Sequence, residues 1–204
     1  VTAKILLASN NGKKLAELRR VVDAAGIGLD VLGLADVEPY PEPVEDGATF
    51  EDNALIKARI AAEKSGLPAL ADDSGLAVDA LNGMPGVLSA RWSGGHGDAA
   101  NNQLLLAQLG DVPDERRGAA FVSVCALVLP NGSETVVRGE WRGTLAREER
   151  GANGFGYDPL FIPDDDLAAG RSSAELTAAE KDSLSHRGKA LAQLVPALRA
   201  LAAE

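Results

Sequence analysis

Ala119–Leu129 carries a single polar side chain, Ser123, and runs into Pro130-Asn131-Gly132-Ser133 before a second strand-like stretch, Thr135–Thr144. An Asn-Gly break between two such stretches is a strong hairpin signal. The middle of the chain is thereby committed to adjacent strands. The N-terminal part follows a different pattern. Lys4–Ala8 reads as a short strand, Ser9-Asn10-Asn11-Gly12 as a polar break, and Leu15, Leu18, Val21, Val22 and Ala25 recur at helical spacing. Gly26 and Gly28 end that helix, and Leu29–Leu34 is a second candidate strand. Asp36–Ala48, with three prolines, is expected to be a loop.

Thr49 with Asp52 three positions on has the form of a capping box, so a helix should start there, its apolar face formed by Ala54, Leu55, Ala58, Ala61 and Ala62. Asp98–Leu109 reads as a further helix, with Leu105, Leu106 and Leu109 inward. Leu184–Ala203 reads as the last, with Leu191, Leu194, Leu198 and Leu201 on one stripe and Pro196 expected to kink or interrupt it. There is no internal repeat, low-complexity tract or linker. Strands alternating with helices, followed by a hairpin, make residues 1–204 one α/β unit.

With 204 residues, 46% hydrophobic and 25% charged, the chain can bury a substantial core. Its net charge of −10 argues against a nucleic-acid binder, whose affinity would rest on a basic face. A phosphate site would have to be built locally, from a few cations or a metal. The single cysteine, Cys125, cannot form an internal disulfide and reads as a core residue. Two histidines, His96 and His186, are too few for a His-rich zinc site. No stretch approaches a membrane span and the N-terminus lacks a signal-peptide layout, so the expected compartment is the cytoplasm.

Five segments hold residues suited to chemistry. Ser9-Asn10-Asn11-Gly12-Lys13-Lys14 lies between a strand and a helix, where backbone N–H groups and Lys14 favour an anion, though taken alone the segment reads first as an ordinary Asn-capped turn. Asn53 and Lys57 share a helix face, expected opposite the alanine-leucine stripe, with Glu45 in the preceding loop. Asp72-Asp73-Ser74 sits at what reads as the end of a buried strand, with Gly75 breaking the run. Adjacent carboxylates there suit a hard cation such as Mg²⁺ or a turn cap. Gly154-Phe155-Gly156-Tyr157-Asp158-Pro159 places two aromatics in a glycine-rich loop, fit either to stack on a planar base or to plug a local apolar cluster. Lys181 with Ser185-His186-Arg187-Gly188 concentrates cations near a helix start, an unfavourable placement unless an anion arrives. Arg116-Arg117 and Glu148-Glu149-Arg150 read as solvated surface, and His96 as a loop residue.

Taken together, Leu7-Ala8-Ser9-Asn10-Asn11 with Lys14, Glu45-x-Gly47-x-Thr49-Phe50 with Asn53 and Lys57, Ala71–Leu76, Pro85-Gly86 through Arg91, Gly154–Pro159 and Glu180–Gly188 resemble, in order, the inosine triphosphate pyrophosphatase family. The resemblance implies a long curved mixed sheet with flanking helices, two lobes around a nucleotide cleft, and a homodimer. It implies Mg²⁺-dependent hydrolysis of deaminated purine nucleoside triphosphates (ITP, dITP, XTP) to the monophosphate and pyrophosphate. Glu45 and Asp73 would hold the metal, with Asp73 also the general base. Lys14, Lys57, Lys181 and the backbone amides of Ser9–Gly12 would cradle phosphates, with Lys13 and Ser74 also binding substrate. Phe155 would stack on the base and His186 and Arg187 would donate toward its 6-oxo oxygen, with Gly156, Tyr157 and Asp158 also binding substrate. The rival readings are a pyrophosphatase of other modified nucleotides and a non-enzymatic nucleotide-binding module. Retention of both carboxylates speaks against the second, because a polyanion binder gains nothing from them without a metal.

Overall fold

The computed structural model describes residues 2–203. In chain order the elements are β1 (Ala3–Leu7), α1 (Gly12–Ala24), β2 (Leu29–Leu32), α2 (Phe50–Ser65), β3 (Ala69–Val78), α3 (Asp98–Gln108), β4 (Gly118–Val128), β5 (Glu134–Leu145), β6 (Phe161–Pro163), α4 (Ala178–Leu184) and α5 (His186–Ala202). The strands form one mixed sheet of order β2-β1-β3-β4-β5-β6. β1 pairs in parallel with β2 and with β3, whereas β5 and β6 are antiparallel. Among the described residues no helix is long and apolar enough to cross a membrane.

The chain divides into two compact units. Unit 1 holds the chain up to Asp73, Ser123–Gly139 and the stretch from Lys189 onward; unit 2 holds Ser74–Val122 and Glu140–Gly188. Within unit 1, Ile5 and Leu7 of β1, Leu18 and Val22 of α1, and the leucines of α5 share one apolar cluster that also takes in Cys125. Three consecutive buried residues in β1, Ile5-Leu6-Leu7, mark a strand covered on both faces, as parallel pairing on both sides requires. The expected α2 cap is present: Thr49 Oγ1 accepts from Asp52 N–H at 3.1 Å, and Asp52 accepts from Thr49 N–H at 3.0 Å. Gly66, at φ +67°, closes the same helix in the left-handed conformation.

Pro196 does not interrupt α5. A proline inside a helix costs about 3 kcal/mol, but Leu191, Leu194, Leu198 and Leu201 are buried, each worth about 1.5–3 kcal/mol. The carbonyl that loses its partner belongs to Ala192, on the exposed side. The helix also starts at His186, so the segment from Lys181 to Arg187 is split between α4 and α5.

Unit 2 is organised around Phe121, Trp141 and Phe161, with Phe121 lying 4.6 Å from Phe161 and 6.4 Å from Trp141 between ring centroids. Arg117 corrects a surface expectation. It is 2% exposed, and its guanidinium donates to the carbonyls of Leu109 (2.6 Å), Leu145 (2.8 Å) and Ala146 (2.8 Å). Burial, with Arg147 acting the same way, draws its pKa below the ordinary arginine value. Arg116, Glu148, Glu149, Arg150 and His96 are exposed, as expected.

Candidate active site

In unit 1 the sheet itself creates the site. β1 ends where Leu7 meets Leu70, and Ala8 N–H makes a last bond to the Leu70 carbonyl at 2.8 Å. β1 then gives way to Ser9-Asn10-Asn11. β3 continues to Val78 beside the longer strand β4, so Asp72 and Asp73 lie within a strand and not at its end, and Gly75 does not break it. The carboxylates sit just beyond the point where one neighbouring strand has stopped. That opening, produced by strands of unequal length, takes the place of the expected strand terminus.

Asn11 caps α1, its Oδ1 accepting from the N–H groups of Lys13 (3.0 Å) and Lys14 (3.4 Å). The cap sets the first turn so that Lys14 Nζ reaches Asp72 Oδ2 at 2.5 Å, with the Asp72 side chain 2% exposed. Asn10, Gly12 and Lys13 are exposed. From α2, Lys57 Nζ lies 2.8 Å from Glu45 Oε2 and 3.7 Å from Asp73 Oδ1. Asn53 does not face the open side of α2. It is 2% exposed, and its amide accepts from Gly47 N–H at 2.9 Å while donating to Asp73 Oδ2 at 3.2 Å. It therefore ties the Glu45 loop to the Asp73 strand. Gly47 is obligatory for this contact, since a Cβ there would stand 2.7 Å from Asn53 Oδ1. A cavity of about 510 Å³ adjoins the cluster, lined in part by Ser9, Asn10, Asn11, Tyr40, Pro43 and Lys57. Tyr40, whose phenol pKa is raised by burial, had no signal in the sequence beyond its proline-rich loop.

The donor chemistry fits Mg²⁺. Glu45 and Asp73 are oxygen donors from two different elements, and they already converge on one cation, the Lys57 ammonium. No group of three or more metal-binding side chains occurs among the described residues. Mg²⁺ takes one or two carboxylates and completes its shell with water and phosphate oxygens.

Unit 2 carries the second cluster. Phe155 is 80% exposed between Gly154 (φ +79°) and Gly156 (φ +62°). Leaving a phenylalanine in water forgoes about 1.5–3 kcal/mol of burial. Below it, Asp158 is 2% exposed; it accepts from Phe155 N–H at 2.9 Å, from Ser173 Oγ, and from Lys181 Nζ. The same ammonium lies 5.1 Å from the Phe155 ring centroid, within cation–π reach. Tyr157 points inward, 4% exposed, donating its hydroxyl to the Ser89 carbonyl at 2.7 Å. Burial, helped by the Asp98 charge, raises its pKa well above the usual phenol value. The Pro85–Arg91 motif thus supplies a backbone acceptor that anchors the aromatic loop. Ser74 is exposed on β3. His186 and Arg187 open α5, with the His186 ring stacked on Phe121 at 5.3 Å and 18°.

Comparison with known proteins agrees with the family resemblance. Residues 5–197 match the model of the Ham1 family. A dITP/XTP pyrophosphatase of Nocardia farcinica is 67% identical over 202 residues, covering 98% of this chain and 97% of the relative. A solved nucleoside-triphosphatase / dITP/XTP pyrophosphatase from Mycobacterium abscessus is 63% identical, with a TM-score of 0.83 over 96% of this chain and all of the other. A HAM1 protein from Coxiella burnetii, 43% identical, superposes with a TM-score of 0.87 over 96% of this chain and 98% of its own. The mixed sheet with flanking helices is the fold of these proteins.

Proposed function

This chain belongs to the Ham1 family, and we propose that it hydrolyses deaminated purine nucleoside triphosphates, ITP, dITP and XTP, to the monophosphate and pyrophosphate. The observation that carries the reading is the convergence of Glu45 and Asp73 on the Lys57 ammonium, with the Asp72–Lys14 pair on the next residue of the strand. These three carboxylates and two ammoniums sum to −1, which would repel a polyphosphate; a divalent cation reverses that sign. Glu45 and Asp73 would hold Mg²⁺, which when bound neutralises phosphate charge and lowers the pKa of a coordinated water. Asp73 accepts the proton of the attacking water. The water oxygen bonds to the α-phosphorus, the bond from that phosphorus to the α–β bridging oxygen breaks, and pyrophosphate leaves with the electron pair. Asn53 holds Asp73 Oδ2 in place for this step. Lys14, Lys57 and the Ser9–Gly12 amides, with Lys13, Ser74 and Lys181, receive phosphate oxygens.

Phe155 stacks on the base, on the loop formed by Gly156, Tyr157 and Asp158. His186 and Arg187 donate toward a 6-oxo oxygen, which hypoxanthine and xanthine present and adenine does not. A donor left facing adenine's amino group costs about 1–3 kcal/mol, or about 10- to 100-fold. The protein acts as a cytoplasmic homodimer in this reading, which light scattering checks for the dimer. The test of function is kcat/KM for ITP, XTP, GTP, ATP and dCTP with and without Mg²⁺, scoring pyrophosphate against phosphate. Preferential, Mg²⁺-dependent release of pyrophosphate from ITP and XTP is expected. Phosphate as product, or tight ITP binding without turnover, overturns the assignment.

A further inference from the structure

Two residues of α3 hold opposite sides of one glycine in the aromatic loop. Asp98, the first residue of α3, accepts the Gly156 N–H on Oδ2 at 2.7 Å. Asn102, one turn later on the same helix face, donates from Nδ2 to the Gly156 carbonyl at 3.0 Å. Asp98 is exposed, whereas Asn102 is 3% exposed. Neighbouring Asn101 is buried as well and reaches the Ser89 and Ala90 carbonyls, accepting from Ser93 N–H at 2.7 Å. The helix is thereby seated on the segment that also anchors Tyr157. Gly156 adopts φ +62°, in the left-handed region, and a Cβ built there would meet nothing within 4 Å.

We infer that Asp98 and Asn102 form a clamp that positions Phe155 for the base, making α3 a positioning element for nucleobase recognition. Phe155 is exposed and flanked by two glycines, each free to rotate. A platform of that kind stacks well only if its backbone is fixed before the ligand arrives, because ordering it on binding costs entropy. Asp158 fixes the N–H on the Phe155 side, and the clamp fixes both polar groups of the residue that follows. Both side chains bond the backbone of Gly156, next to Phe155, so each would act on the base through Phe155. The inference rests on the reading of Phe155 as the stacking residue.

The test is calorimetric binding of two probes with Mg²⁺: inosine monophosphate, which carries the base, and inorganic tripolyphosphate, which lacks it. Asp98→Ala should weaken inosine monophosphate about tenfold, the size of one hydrogen bond to a charged group. Tripolyphosphate should stay within about twofold. Asp98→Asn keeps an acceptor oxygen and should recover most of the loss. In a Phe155→Ala background, Asp98→Ala should have no further effect, since both changes remove the same platform. Equal weakening of both probes, or fully additive losses in the double variant, overturns the clamp. Asn102→Ala leaves the charged half in place; a smaller loss for inosine monophosphate alone supports the clamp, and no loss overturns it even if Asp98→Ala does not fold. An unchanged inosine monophosphate affinity in Phe155→Ala is a distinct result, which removes the stacking reading and the clamp with it.

Discussion

Gly154 and Gly156 flank Phe155 at similar positive φ, yet alanine should be tolerated very differently at the two. Placing alanine in the left-handed region costs about 1–2 kcal/mol, and the reduced freedom of the unfolded chain returns about 0.4–1 kcal/mol. At Gly156, φ +62°, an added Cβ meets nothing within 4 Å, so the net loss should be about 0–1.6 kcal/mol. At Gly154, φ +79°, the Cβ would overlap the Asp158 carboxylate, whose Cγ would be 2.9 Å away. Asp158 is buried and cannot swing into solvent without giving up Phe155 N–H, Ser173 and Lys181. Loss of one hydrogen bond to a charged acceptor adds about 1.5–3 kcal/mol, and the displaced partners bring the total to about 3–5 kcal/mol. For a chain of this size about 2–4 °C of Tm accompanies each kcal/mol. Gly154→Ala should therefore lower Tm by about 6–20 °C and Gly156→Ala by no more than about 6 °C. Thermal unfolding of the two variants beside the parent, followed by circular dichroism, measures both. Equal shifts would refute the reasoning, because the Asp158 contact is the only difference invoked.

Other outcomes follow from the same geometry. Asp73→Asn should lower turnover of ITP by about 10²–10⁴-fold while ITP binding survives; near-parent turnover would remove Asp73 from the chemistry. Lys57→Met deletes the ammonium shared by Glu45 and Asp73. The nucleotide-free protein should then bind Mn²⁺ more tightly by paramagnetic resonance and tripolyphosphate more weakly by calorimetry, and unchanged values for both would contradict the shared-cation arrangement. Glu180, bonded to Arg171 and to the N–H and hydroxyl of Thr177, has its pKa pulled down to about 2 from 4.5. A lowered folded-state pKa means its contribution is complete above about pH 4.5 and is lost as pH falls toward 2. Glu180→Gln should therefore flatten the fall of Tm in that window, and parallel Tm–pH curves would refute the linkage. Tyr157→Phe removes the 2.7 Å bond to the Ser89 carbonyl and should cost about 1–3 kcal/mol of stability, read by urea unfolding.

Local signals located elements well. The Thr49–Asp52 box marked the start of α2 because both bonds join residues three apart. The Asn131-Gly132 break marked the β4–β5 connection for the same reason, its turn being closed by Leu129 and Ser133. Misreadings arose where the deciding partner is remote. Glu115-Arg116-Arg117 is a charged run on the page, but Arg117 finds carbonyls as far away as Ala146 and is buried among them. Asp72-Asp73 looks like a strand terminus because aspartate and glycine disfavour strands, whereas the extended neighbour β4 carries the strand through to Val78. Asn53 reads as a solvated helix residue; its amide instead spans a loop and a strand. Asp98 and Asn102 carried no signal at all, since a helix-start aspartate and a mid-helix asparagine are ordinary where they stand.

By itself the sequence determined the α/β class, most of the helices and strands, and, through six ordered motifs, the family and the residue types its chemistry would need. The class and the elements follow from short-range periodicity, capping and turn preferences, which are properties of neighbours along the chain, whereas the family and its residue types follow from the resemblance those motifs carry. Tertiary structure alone decided that β1 stops short and opens a gap beside Asp72 and Asp73, that Lys57 is shared by Glu45 and Asp73, that Tyr157 faces inward while Phe155 faces out, and that α3 grips Gly156. Each of these depends on the relative length of paired strands or on polar atoms brought together from distant parts of the chain, and such distances exist only once the backbone has folded.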